Sequence, residues 1–76
     1  MKRPYMALRV LFTLMDWDQK AVGAIIGKSD RYVRDRLSGK YHWEVDDGYK
    51  ILKAANKPDS DFTKYFPRNP REFIEM

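Results

Sequence analysis

Between Lys28 and Lys40 the chain places Lys28, Arg31, Arg34, Arg36 and Lys40 against only Asp30 and Asp35, while the rest of the stretch from 16 to 56 is close to balanced. Three of these cations are arginines, whose planar forks of N–H donors suit phosphate oxygens and flat acceptors. The chemistry on offer is recognition of anions rather than making or breaking of bonds. No cysteine is present and His42 is the only histidine. No nucleophile stands beside a base, no glycine loop is spaced to cradle phosphates, and no group of residues has metal-ligand spacing. An enzyme is therefore the weakest reading, and neither cofactor nor metal is expected. His42 falls in a loop, where catalysis or metal binding is not expected of it.

The elements that must carry these cations follow from apolar spacing and from turn residues. Leu8, Leu11, Phe12 and Met15 recur at i, i+3, i+4 and i+7, which predicts a helix from about Tyr5 to Met15 with Pro4 in its first turn. Asp18 is a candidate N-cap for a second helix over Gln19 to Ile26, and Gly27 can end it in the left-handed conformation. Ser29 caps a third helix from Asp30 to about Ser38, with Asp30 near the positive end of its dipole. Only Val33 and Leu37 of this helix are expected to face inward, so it buries a narrow stripe. Trp43, Val45, Tyr49, Ile51, Leu52 and Ala55 predict a fourth helix from about Val45 to Ala55, which Gly48 weakens slightly. Asn56, Lys57 and Pro58 end it. Ser60 or Asp61 then caps a short helical turn through Phe62, Tyr65 and Phe66, closed by Pro67.

The expected fold is all-α, a small bundle of four to five helices with a central helix-turn-helix and an extended C-terminal tail. At 76 residues one domain is expected, with a core near 5–66, a tail over 67–76, and little stability to spare. The net charge of +4 favours a polyanionic partner. The lack of cysteine suits a reducing cytoplasm, and the apolar run from Ala7 to Met15, broken by Arg9 and Thr13, is neither a signal-peptide core nor a membrane span.

The unit QKAVGAIIGKSDRYVRDRLSGK, Gln19 to Lys40, has what two helices joined by a tight turn need. Gly23 is the small residue at the crossing, Gly27 makes the turn, and Ile26, Val33 and Leu37 hold the second helix against the first. A helix held from behind in this way can enter a major groove. The segment from Leu8 to about Asn56 resembles the Cro and repressor (XRE-like) family of phage and bacterial helix-turn-helix regulators. Gln19 looks like the family's glutamine at the start of the first motif helix, and Ser38-Gly39-Lys40 is similar to the glycine-basic sequence after the recognition helix. The chain departs from the commonest pattern at Lys28 and at Arg36, with the closing apolar residue at Leu37, a spacing similar to that of a subset of phage regulators.

The resemblance implies sequence-specific binding of double-stranded DNA, a palindromic operator, and action as a transcriptional repressor or regulator in the form of a homodimer. It puts Asp30, Arg31, Arg34 and Asp35 at base-reading positions, with Arg31 and Arg34 suited to bidentate contact with guanine. Asp30 and Asp35 either accept from cytosine amino groups or brace the arginines. Gln19, Ser29, Tyr32, Arg36, Ser38 and Lys40 are implied phosphate contacts, with packing an equal alternative for Tyr32. Trp17, Trp43 and Tyr49 are expected in or beside the core. Phe62, Tyr65, Phe66, Phe73 and Ile74 suggest that the region from 62 to 76 forms the dimer interface, unless it folds back to complete the monomer's core. The competing function is a helical adaptor whose basic face binds an acidic protein, as an antitoxin-like or inhibitor protein would.

Overall fold

The computed structural model describes residues 4–67, and they form an all-α fold. In order these are α1 (Met6–Leu14), α2 (Gln19–Ile26), α3 (Asp30–Leu37), α4 (Val45–Ala54), a 3₁₀ turn (Asp59–Asp61) and α5 (Phe62–Tyr65), with no strand among the described residues. No helix among them is long and apolar enough to cross a membrane.

The first helix is one residue shorter at each end than its spacing predicts. Pro4 precedes it instead of occupying its first turn, because Tyr5 stands at the N-cap in the left-handed region with φ 56°. That conformation is uncommon for a residue with a side chain. The Tyr5 ring is buried with its face or edge against Trp43, centroids 6.4 Å apart and planes at 86°. Leu8, Leu11 and Phe12 turn inward as expected, but Met15 is 37% exposed, since the chain leaves the helix there and reverses at Asp16, φ 57°. Arg9 has a structural task. Its Nε donates to the Pro4 carbonyl at 2.8 Å and its Nη2 to the Leu37 carbonyl at 2.7 Å. The second bond places a cation on a terminal carbonyl of α3, where the helix dipole favours positive charge.

One core joins the elements. Val22 and Ile26 of α2, Val33 and Leu37 of α3, and Ile51, Leu52 and Ala55 of α4 and its end meet Leu8, Leu11 and Phe12. Trp17 packs beside Phe12 at 6.2 Å between centroids and stays half-buried. Two apolar positions of α4 do not join this face: Val45 is exposed, and Tyr49 is partly exposed with its ring against Phe62 at 4.7 Å.

The expectation that residues 62–66 form a dimer interface needs correction. Tyr65 and Phe66 are buried in the chain's own core and Phe62 packs against it. Phe66 lies 5.5 Å from Trp43 and 5.1 Å from Phe62 between centroids, so rings run without a break from Tyr5 through Trp43, Phe66 and Phe62 to Tyr49. Gly48 makes room for this: a Cβ there would stand 2.6 Å from Phe62 Cε2 and 3.4 Å from Phe66 Cδ2. The glycine that weakens α4 as an isolated helix is where α5 packs on it. The fold-back alternative thus holds for residues 62–66, while Phe73 and Ile74 lie outside the described residues. Large apolar side chains that stay exposed include Met6, Val10 and Leu14, spaced i, i+4 and i+8 along α1.

Candidate nucleic-acid interface

The pair α2 and α3 is built by local chemistry. Asp18 Oδ1 accepts from the Ala21 amide at 2.8 Å, which caps α2. Gly27 ends it with φ 73°, a conformation that costs glycine little. Ser29 Oγ then accepts from the Tyr32 amide at 3.1 Å and caps α3. Only a glycine fits at position 23, where α2 passes the turn: an added Cβ would meet the Lys28 carbonyl oxygen at 2.5 Å and the Ser29 backbone at 3.3 Å. Both obstacles are main chain and cannot swing aside. Gly23→Ala is therefore expected to lower stability by about 1–3 kcal/mol through overpacking, although alanine favours a helix by about 1 kcal/mol. Thermal melting measures this, and an unchanged or raised midpoint would show that the turn yields freely.

Val33 and Leu37 are buried, which fixes how α3 is turned. At roughly 100° per residue, Asp35 falls midway around the outer side. Arg31, Arg34 and Ser38 lie to one side of it, and Tyr32 and Arg36 to the other. Arg31 and Arg34 are exposed, and Asp35 is half-buried. Asp30 Oδ1 accepts from the Arg31 main-chain amide at 2.9 Å, so this carboxylate helps close the N-terminus of its own helix, as expected of an acid at the positive end of the dipole. At the other end Ser38 Oγ donates to the Asp35 carbonyl at 2.8 Å and accepts from the Lys40 amide at 3.3 Å, which seals the last turn and sets the start of the loop bearing Lys40.

The second side of α3 holds a set of rings and cations. The Arg36 guanidinium lies 4.1 Å from the Tyr32 ring centroid and 4.9 Å from that of Tyr41. Lys28 Nζ lies 5.4 Å from the Tyr32 ring and Lys40 Nζ 5.5 Å from the Tyr41 ring. The Tyr32 hydroxyl donates to Asp47 Oδ2 of α4 at 2.9 Å, so packing and a partly buried hydrogen bond occupy this residue. Burial pushes the Tyr32 phenol above its usual range; the nearby Arg36 guanidinium pulls it down and Asp47 pushes it up. The hydroxyl therefore stays protonated and remains a donor. Burial likewise raises the Tyr5 phenol.

Of the ten residues singled out from sequence, Asp30, Arg31, Tyr32, Arg34, Asp35 and Arg36 lie on α3, with Ser29 and Ser38 as its caps and Lys40 just beyond. Gln19 stands apart, exposed at the start of α2. Sequence reasoning missed Tyr41 and Asp47. Tyr41 follows Lys40 directly, which is a signal of a kind. Asp47 reads as one more acid in the first turn of α4, and nothing in its spacing points to Tyr32. Among the described residues no group of histidine, cysteine and acidic side chains could hold a metal ion. A shallow cleft of about 370 Å³ lies away from α3, lined mainly by Tyr5, Trp43, Phe62 and Phe66, with His42 and Thr63 at its polar edge.

Comparison with known proteins gives no match: no family model, curated protein or solved structure is similar to this chain at a significant level. The residues themselves must carry the functional argument.

Proposed function

We propose that this protein binds double-stranded DNA sequence-specifically, as a regulator of transcription and most simply a repressor, with α3 in the major groove. The observation that carries the reading is the exposure of Arg31 and Arg34 on a short helix that is capped at Ser29 and held from behind by Val33 and Leu37. Forked donors on such a helix can meet the O6 and N7 of guanine, while Lys28, Arg36 and Lys40 neutralise phosphates beside it. The base-reading set is Arg31 and Arg34 with Asp35 between the two flanks, and Asp30 chiefly closes the helix. Gln19 and Ser29 supply further contacts to the DNA backbone, while the Ser38 hydroxyl, whose proton goes to the Asp35 carbonyl, closes the helix instead. The reading includes two copies on a two-fold symmetric site, because one eight-residue helix covers only a few base pairs. It also places the protein in the cytoplasm, where operator DNA is found.

Selection of bound duplexes from a random pool at fixed salt tests this. One palindromic sequence should emerge, bound at least a thousandfold tighter than random DNA, at about the lower end for specific regulators. A pool from which no sequence emerges would sink the reading. Capture of an acidic protein without any duplex binding would favour the adaptor function instead. Sedimentation with and without the selected duplex gives the number of copies bound.

A further inference from the structure

We infer that Asp47 and Tyr32 are positioning residues for Arg36, which they hold as a phosphate-gripping arm beside the base-reading face; this rests on the DNA-binding reading above. Asp47 is only 4% exposed although it carries a carboxylate. A buried carboxylate is costly unless hydrogen-bonded, and here the Tyr32 hydroxyl donates to it at 2.9 Å across the gap between α3 and α4. That bond fixes the tyrosine ring about a direction set by α4. The ring in turn is the flat surface on which the Arg36 guanidinium rests at 4.1 Å, with the Tyr41 ring at 4.9 Å.

Arg36 is thereby restrained at its stem. Its Nε is buried and has no hydrogen-bond partner among the described residues, so ring contacts, rather than a hydrogen bond at that nitrogen, set its placement. An arginine left to itself on a helix surface samples many rotamers, and ordering it on binding costs free energy. A guanidinium already laid against two rings has lost much of that freedom before DNA arrives. Lys28 and Lys40 lie over the same two rings, so the patch that receives the phosphate carries three cations. Asp47 never needs to touch DNA. It acts through Tyr32, from a neighbouring helix, on a contact that reads no sequence.

The test is a mutant cycle on duplex binding, titrated at several salt concentrations with the full chain. Arg36→Ala should weaken selected and random duplexes alike and lower the slope of log affinity against log salt by about 0.9, as expected for one lost phosphate contact. Tyr32→Phe keeps the ring and removes the hydroxyl. It should weaken both duplexes in the same way, and do nothing further once Arg36 is alanine. Asp47→Asn keeps an acceptor for the hydroxyl and should restore near wild-type binding, where Asp47→Ala does not. A merely structural role would lower the melting temperature and leave the salt slope unchanged. The inference is overturned if Tyr32→Phe binds with the wild-type slope, or if its effect adds in full to that of Arg36→Ala. Should the wild-type chain bind no duplex at all, the DNA-binding reading fails and takes this inference with it; an additive cycle on a chain that does bind removes the inference alone.

Discussion

A chain cut after Asn56 is expected to be unfolded rather than to become a folded monomer. The cut removes Phe62, Tyr65 and Phe66, and it bares Trp43, Tyr49 and the slot over Gly48 against which these rings pack. Truncating one buried aromatic side chain costs about 3–5 kcal/mol. A domain of this length has about 4–11 kcal/mol in all, at the usual stability per residue; losing the buried Tyr65 and Phe66 removes about 6–10 kcal/mol, and the partly buried Phe62 goes with them, so the loss is comparable to all that is available. Far-UV circular dichroism through a thermal ramp decides the matter. A cooperative transition in the shortened chain would show that α1 to α4 form a sufficient core, and would return residues 62–66 to the role of an interface. The expected collapse also means that loss of DNA binding on truncation would say nothing about dimerisation.

Replacing both Arg31 and Arg34 by alanine is expected to cut discrimination sharply while leaving the fold intact. Each bidentate arginine contact to guanine is worth about 1–3 kcal/mol, so the pair removes about 2–6 kcal/mol, or about thirtyfold to ten-thousandfold in affinity for the selected site. Affinity for random DNA should fall far less, because phosphate contacts dominate there. Both side chains are exposed, and neither contributes to the buried core, so the melting temperature should barely move. The two positions lie one turn apart on one helix, and their effects need not add. Lys40→Ala provides the contrast: it should weaken every duplex by a similar factor. If the double variant lost specific and random binding equally, Arg31 and Arg34 would be backbone contacts and sequence would be read elsewhere.

Most of the helix order could be read in the sequence, because its punctuation is local. Asp18, Gly27 and Ser29 act within three or four residues of themselves, and each does in the structure what its type and position predict. Val33 and Leu37 were legible because an otherwise polar helix offers no other way to bury a face. Boundaries failed where a distant contact overrides local preference. Tyr5 adopts a left-handed conformation at the start of α1 while its ring packs on Trp43, thirty-eight positions away along the chain, and Met15 is released by the reversal at Asp16. The same rule governs the candidate interface. The exposed arginines of α3 follow from its buried stripe, so their placement was open to inference. Arg9 on the Leu37 carbonyl, Asp47 beneath Tyr32 and Gly48 beneath Phe62 are pairings between separate elements. No periodicity of a single helix encodes them.

The run of rings from Tyr5 to Tyr49 also equips the molecule with its own optical reporter. Trp43 sits within that run at fixed angles to Tyr5 and Phe66, an asymmetric setting that should give strong near-ultraviolet circular dichroism. Trp17 lies elsewhere, half-buried beside Phe12, and its emission should respond to events at the junction of the first two helices. A state that kept its helices but lost fixed packing would lose the Trp43 bands while retaining the far-ultraviolet signal. Without any added label, the closing of the aromatic run and the formation of the helices can thus be followed as separate signals in the same sample.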